Sequence, residues 1–204
     1  MGRAISVWSS HAADFFVTRQ RYDAFKATIA SDYPDIKIVD EQGIGGPHFP
    51  GDAEKAAGAM LTSHPEIQAI WAVWDMPAEG VISAARNAGR DDLIITTVDL
   101  GENVAISMAQ NGFIKGLGAQ RSYDAGAVKA KLAGYGLLGK PAPTFVELPA
   151  LPVSHDNLLK SGRRSTQPKP PTTSRTRWPT EVRRGRMLPR PRPFSGPSHQ
   201  GFLC

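Results

Sequence analysis

The feature of this sequence that most constrains its fold is the regular alternation of short apolar runs with stretches of helical periodicity. Six runs have the length and composition of β-strands: residues 3–8, 35–39, 69–74, 93–98, 113–119 and 144–153. Between them, apolar residues recur at helical spacing, as at Ala53, Ala57 and Met60. Strands that alternate with helices in this way predict right-handed βαβ units. We therefore expect an α/β fold with a three-layer, doubly wound, mostly parallel sheet.

The charge and proline content of the chain change abruptly near its C-terminal end. Residues 161–204 contain ten of the 24 Lys and Arg residues, one acidic residue and eight of the 17 prolines. Residues 1–160 consequently have a net charge of −4, although the whole chain has +5. We predict an α/β domain over residues 1–153, followed by a disordered Pro/Arg-rich tail over residues 154–204.

Two interpretations of the basic segment 161–204 are open at this point. Arg, Pro, Ser and Gly dominate out-of-frame readings of GC-rich genes, so the segment can be a frameshift product. Alternatively, it is a genuine basic tail that binds phosphate backbones. The segment lacks the interleaved aromatic residues and the motifs of nucleic-acid-binding modules, so we expect no nucleic-acid partner. The coding DNA decides between the two, because a frameshift predicts an apolar-periodic helix in another frame after residue 160.

Several classes of protein are excluded by what the sequence lacks. It has no run of about 18 apolar residues and no secretory signal pattern, so we expect neither membrane insertion nor a signal peptide in this chain. The single cysteine, Cys204, cannot form an internal disulfide or a Cys-based metal site. No nucleophile elbow, Gly-rich phosphate loop or metal-spaced His/Asp set is present. We therefore expect no catalytic residues, no metal and no cofactor, in a protein that is not an enzyme.

Polar and aromatic side chains follow successive strands of the predicted sheet. The candidate substrate-binding residues are Arg21, Trp74, Asp75, Asp99 and Gln120. In open parallel sheets, ligands bind beyond the carboxyl ends of the strands. Carboxylate, guanidinium and amide groups offer acceptors and donors to vicinal hydroxyls, and an indole stacks on the apolar face of a sugar ring. This set therefore predicts a polyhydroxylated ligand.

Four of these five residues also have a plain structural interpretation. Asp75 can cap the helix that begins near Pro77, and Asp99 can be a turn residue. Trp74 can belong to the core, and Arg21 to a solvated helix face. A further alternative makes Asp75 and Asp99 an enzymatic acid–base pair, but no nucleophile or metal set accompanies them. The concentration of candidates at one end of successive strands favours ligand binding.

Several segments occur in an order similar to that in the sugar-binding proteins of bacterial ABC importers. These segments are residues 21–25, 60–67, 69–75, 78–80, 97–99 and 118–120. Over residues 3–153, the chain resembles the C-terminal lobe of a ribose-type periplasmic sugar-binding protein. The resemblance implies the type I periplasmic binding protein fold, in which two α/β lobes close on one ligand.

The resemblance also implies a function, a location and a set of ligand contacts. It implies the substrate-binding component of an ABC transporter, which binds a monosaccharide for import, with an ABC permease as partner and the periplasm as location. Arg21 and Asp99 match family residues that hold sugar oxygens, and Gln120 matches the amide next to the hinge. Trp74 stands before Asp75 where ribose-type members have asparagine, which argues against ribose itself. The effector-binding domain of a lactose-repressor-type transcription regulator shares the fold and is the alternative.

Compared with that family, the chain is expected to be a truncated form that lacks the N-terminal lobe. The segment 121–143 would pack on that lobe, and its Val128, Leu132 and Tyr135 would lose the surface that covers them. We therefore expect an exposed apolar patch, self-association and weak sugar binding by an incomplete cleft.

Overall fold

Strands and helices alternate along the chain in a computed structural model, which describes residues 3–8 and 15–166. The strands are β1 (Arg3–Trp8), β2 (Ile36–Gln42), β3 (Ala69–Ala72), β4 (Ile94–Val98), β5 (Ile114–Ala119) and β6 (Leu151–Val153). The helices are α1 (Phe16–Asp32), α2 (Phe49–Ser63), α3 (Asp75–Asn87), α4 (Glu102–Ala109), α5 (Ser122–Leu137) and α6 (Leu158–Thr166). A short 3-10 helix (His155–Asn157) immediately precedes α6.

These strands form one six-stranded sheet with the order β2-β1-β3-β4-β5-β6. The first five strands of the chain run parallel, and β6 pairs antiparallel with β5 at the edge. The chain moves from β1 to β2 on one side and then back to β3 on the other side, which is the doubly wound arrangement. The structure therefore confirms the predicted α/β, mostly parallel sheet.

Helices cover both faces of this sheet, and strand β3 shows how the sequence achieves it. Ile70 and Ala72 lie in the main buried core, whereas Trp71 and the following Val73 lie in a second cluster on the opposite face. The alternation follows from the two-residue period of a strand. In the second cluster, Phe25 of α1 stacks on Trp71 with ring centroids 4.5 Å apart. A near-continuous apolar run thus reflects burial on both faces.

Helices α2 and α3 approach each other closely on the main face. A Cβ atom at Gly80 of α3 would overlap the carbonyl oxygen of Pro50 and the side chain of Ala53, both in α2. Ala53 and Gly80 are both buried. The contact therefore depends on the absence of a side chain at residue 80 and brings the N-terminal turns of both helices to the same edge of the sheet.

The described secondary structure extends beyond residue 153, where the sequence analysis placed the end of the domain. Residues 154–166, assigned above to a disordered tail, contain the 3-10 helix and α6. Leu158 packs against the main core, and Ser161 and Ser165 are buried. These tertiary contacts outweigh the poor helix propensity of Ser, Gly and Thr in α6. The rest of the predicted tail, residues 167–204, lies outside the described residues.

Helix α5 covers little of the core. None of its residues is buried, and Tyr135 is exposed, whereas Val128 and Leu132 are half-buried. Leu137 is 88% exposed, and Phe145, beyond the helix, is also exposed. Of the three residues predicted to form an exposed apolar surface, Tyr135 is exposed. The exposed apolar surface also includes Leu137 and Phe145, which the sequence analysis did not name.

We expect the exposed end of α5 to promote self-association. Because contiguous exposed apolar groups drive association, the double substitution of Leu137 and Leu138 by serine should shift the chain toward the monomer. Sedimentation velocity at several concentrations measures the shift. Leu159→Ser is the matched control, because Leu159 is 81% exposed but lies on α6. Equal association of the double variant and the wild type would contradict the expectation.

Candidate ligand-binding site

Three of the predicted residues form a hydrogen-bonded network at the carboxyl edge of the sheet. Arg21 donates from Nη1 to Oδ2 of Asp99 at 3.1 Å and from Nη2 to Oδ1 at 3.4 Å. Gln120 donates from Nε2 to Oδ1 of Asp99 at 2.6 Å. Arg21 also donates from Nη1 to the carbonyl of Val73 at 3.1 Å. The network joins α1 to the ends of β3, β4 and β5 and leaves its side chains partly accessible.

Asp99 adopts a backbone conformation that is uncommon for a residue with a side chain. Its φ of 71° lies in the left-handed region, which Asp tolerates better than most residues. The Asp99 N–H donates to the carbonyl of Gly118 at 2.9 Å, which ties the turn to β5. Such a conformation costs about 1–3 kcal/mol and concentrates at binding and catalytic sites. It turns the Asp99 carboxylate toward Arg21 and Gln120.

The Asp75 carboxylate lies at the start of α3 and faces the same region. Its Oδ1 accepts a hydrogen bond from the Met76 N–H at 3.0 Å, and its Oδ2 lies against the Cα of Gly101, where a side chain would collide with it. Burial, and then the negative charge of Asp99, raise the pKa of Asp75 above its ordinary value, and Glu79 adds to the effect. Helix α3 begins at Asp75 itself, with Trp74 in the N-cap position, so Asp75 is not the cap of a helix that begins near Pro77. As an acidic residue in the first turn it still favours the helix N-terminus, and it contributes a second acid group to this edge.

The raised pKa of Asp75 predicts a pH-dependent stability. Between the ordinary carboxyl pKa of about 3.9 and the raised one, the unfolded chain has lost the Asp75 proton while the folded chain keeps it, so stability falls as pH rises through this window. Asp75→Asn has no charge to bury. Urea unfolding gives the free energy of unfolding of Asp75→Asn and of wild type at each pH. We expect the variant's advantage over wild type to be larger at about pH 7 than at about pH 4. An identical difference at both pH values would contradict this.

A cavity of 290 Å³ lies between these groups and α6. It is lined by Asp75, Asp99, Leu100, Gln120, Ser122 and Ser165. Ser165 donates from Oγ to the Gln120 carbonyl at 2.5 Å, which fixes the backbone beside the network. The sequence interpretation missed Ser165 because it lies in the segment assigned to the tail. A larger cavity of 440 Å³ between Phe25, Trp71 and Ile94 is mostly apolar and includes none of the candidate residues.

An aromatic cluster of Phe15, Phe49 and Trp74 lies at the same edge. Trp74 meets Phe49 edge to face, with ring centroids 5.2 Å apart, and Phe49 lies 6.5 Å from Phe15. Trp74 is half-buried and packs against both core clusters, so it serves the core and reaches the surface as well. Phe15 and Phe49 were not among the predicted binding residues. Because they follow β1 and β2 in the sequence, the rule that ligands bind beyond the carboxyl ends of strands could have identified them as candidates.

Two further findings bear on the chemistry that the chain can perform. Within residues 3–8 and 15–166, no group of three or more His, Cys, Asp or Glu side chains is placed to hold a metal ion. No helix among the described residues is long and apolar enough to cross a bilayer.

The chain matches a known family model and many solved structures. The family model, described as periplasmic binding protein domain, matches residues 7–141. The ABC sugar transporter subunit from Rhodobacter sphaeroides 2.4.1 is 25% identical with a TM-score of 0.67, over 76% of this chain and 56% of that one. An ABC transporter solute binding protein from Agrobacterium vitis with bound allitol is 25% identical with a TM-score of 0.70, over 79% and 57%. No curated protein sequence matches the chain.

A third structure has the same fold. It is an ABC transporter periplasmic solute binding protein from Actinobacillus succinogenes 130z with bound D-allose, at 20% identity and a TM-score of 0.71, over 78% of this chain and 55% of that one. The chain thus spans little more than half the length of these three structures. The family and these neighbours are solute-binding proteins and not enzymes.

Proposed function

Since the chain belongs to the periplasmic binding protein domain family, we propose that it binds a monosaccharide as the substrate-binding component of a bacterial ABC importer. The observation that carries the proposal is the Arg21–Asp99–Gln120 network at the carboxyl edge of the sheet. Carboxylate, guanidinium and amide groups held in fixed geometry match a ligand with several adjacent hydroxyls.

The roles proposed for the five residues follow from their contacts. Asp99 accepts from sugar hydroxyls, while Arg21 and Gln120 donate to sugar oxygens and hold Asp99 in place. Arg21 and Asp99 have side chains only 18% and 23% exposed, which limits competition from water. Asp75 adds an acceptor beside them, and Trp74 contributes apolar contact.

The relatives support this choice of ligand class. In their structures, the Agrobacterium vitis protein holds allitol and the Actinobacillus succinogenes protein holds D-allose, and both ligands carry hydroxyls on adjacent carbons. Both proteins are transport components, which favours import over the effector domain of a transcription regulator. By the same reasoning, we propose an ABC permease as partner and the periplasm as location.

We also propose that residues 1–153 correspond to one lobe of a two-lobed, truncated binding protein. The chain spans little more than half of its solved relatives, and α5 has no buried residue of its own. The segment 121–143 then packs on the second lobe in a complete protein. A single lobe encloses less of a ligand, so the chain alone should bind sugar only in the millimolar range.

Ligand-observed saturation-transfer NMR tests the function with this chain. The panel contains aldopentoses, aldohexoses and the matching alditols, and includes D-allose and allitol. We expect at least one of these sugars to bind the wild-type chain and to lose its signal with Asp99→Asn, since asparagine tolerates the left-handed backbone but removes the charge. Absence of binding across the panel, or equal binding by the variant, would contradict the proposed function.

A further inference from the structure

Helices α3 and α4 border a shared surface groove. The groove has a volume of about 300 Å³ and includes none of the candidate ligand-binding residues. Each helix contributes four lining residues with the same spacing, i, i+3, i+4 and i+7, which places them on one helix face. They are Glu79, Ile82, Ser83 and Arg86 at α3, and Asn103, Ile106, Ser107 and Gln110 at α4.

The groove contains groups whose interactions are incomplete within one chain. Ile106 is 47% exposed, although Ile82 in the same groove is buried. Ser107 is 5% exposed, and its Oγ has no hydrogen-bond partner among the described residues. Glu79 and Arg86 form no ion pair with another described residue. Together these groups indicate a surface that another molecule covers.

The lining residues of α3 complement an antiparallel copy of themselves. Glu79 and Arg86 lie at equal separations on either side of Ile82 and Ser83, and about 10 Å apart along the helix. A two-fold axis perpendicular to the helix at this midpoint places Glu79 of each copy opposite Arg86 of the other. The interface then contains this charge pair twice, because an isologous contact repeats every interaction.

The lining residues at α4 follow the same arrangement. Asn103 and Gln110 flank Ile106 and Ser107 at equal separations, so the same axis places the two amide side chains opposite each other. An amide group both donates and accepts, and either one can supply the hydrogen bond that the Ser107 Oγ lacks. Ile106 of each copy then lies at the centre of the contact, where burial of apolar surface has its largest effect.

We propose that the groove between α3 and α4 is an interface between two copies of this chain, which are related by a two-fold axis. A second copy explains why opposite charges occupy matched positions on one helix, which a small ligand would not require. The contact is small and its charges lie at the rim, so the dimer is weak, with a Kd of about 100 µM. The interface does not include the carboxyl edge of the sheet, so the proposal does not depend on sugar binding.

Complementary charge reversals test the interface in the full chain. All variants also carry Leu137→Ser and Leu138→Ser, so that association through α5 does not contribute. Glu79→Arg alone and Arg86→Glu alone each create two like-charge pairs across the axis, and we expect each to weaken self-association at least tenfold. An equimolar mixture of the two variants has opposite charges at both pairs, so it should associate about as tightly as the background chain. Sedimentation velocity at low salt measures the dissociation constants.

Lys55→Glu is the matched control for Arg86→Glu. Lys55 is exposed on α2 outside the groove, and its reversal changes the net charge by the same amount, so Kd should stay within about twofold. The inference is wrong if the mixture associates no better than either variant alone, or if Lys55→Glu weakens association as much as Arg86→Glu. It is also wrong if the background chain stays monomeric at about 1 mM, ten times the proposed Kd.

Discussion

Replacement of Arg21 by alanine is expected to weaken sugar binding by at least about 30-fold, because truncating one partner of a hydrogen-bonded, partly buried charge pair costs about 2 kcal/mol or more. Two effects add in the same direction. The variant loses a donor to the sugar, and it leaves the Asp99 carboxylate with one of its two side-chain donors. Titration by NMR or calorimetry measures the loss, and circular dichroism shows whether the fold is retained.

The matched control for this variant is Arg21→Lys. Lysine keeps the positive charge but cannot make the paired contacts to both oxygens of Asp99 or reach the Val73 carbonyl with the same planar geometry. Its affinity should therefore fall between those of the wild type and the alanine variant. Binding by Arg21→Ala within about threefold of wild type would show that the network is structural rather than part of a sugar site.

Replacement of Gly80 by alanine is expected to destabilise the fold by about 3 kcal/mol. The new methyl group would overlap the Pro50 carbonyl oxygen and the Ala53 side chain, so α2 and α3 would have to separate. Intrinsic helix propensity alone predicts the opposite sign, a gain of about 1 kcal/mol for Gly→Ala. Urea unfolding of both proteins therefore tests the packing contact through the direction of the change as well as its size.

Gly58→Ala is the control for that experiment. Gly58 is also in a helix, α2, but a Cβ there would meet nothing within 4 Å. We expect this variant to be as stable as the wild type or more stable by up to about 1 kcal/mol. If Gly80→Ala behaves like Gly58→Ala, the close approach of α2 and α3 is not a feature of the folded protein.

Much of the parallel sheet could be predicted from sequence because its strands are apolar and separated by amphipathic helices. The same logic placed Asp99 and Gln120 together, since parallel strands end at a common edge. Gly89 lies two residues beyond the end of α3 with a φ of 62°, which is the left-handed conformation that glycine commonly adopts after a helix. In each case, a local pattern and the topology point to the same structure.

The remaining features depend on contacts that no local pattern encodes. β6 covers only Leu151–Val153 rather than residues 144–153, because Pro149 and Pro152 lack the N–H that a longer ladder needs. Helix α6 forms because Leu158 and Ser165 meet the core and Gln120, although its sequence has weak helix propensity. Phe49, the first residue of α2, meets Trp74, the residue before α3, because these two helices pack against each other.

The central claim is that a sugar binds at the carboxyl edge of the sheet, and amide chemical-shift mapping tests it most directly. The uniformly 15N-labelled chain is titrated with whichever sugar of the panel binds. We expect the largest shifts at residues 74–76, 98–101 and 119–121, and their disappearance in Arg21→Ala. Shifts confined to α5 or to the cavity under α1, or shifts that persist unchanged in Arg21→Ala, would contradict the claim.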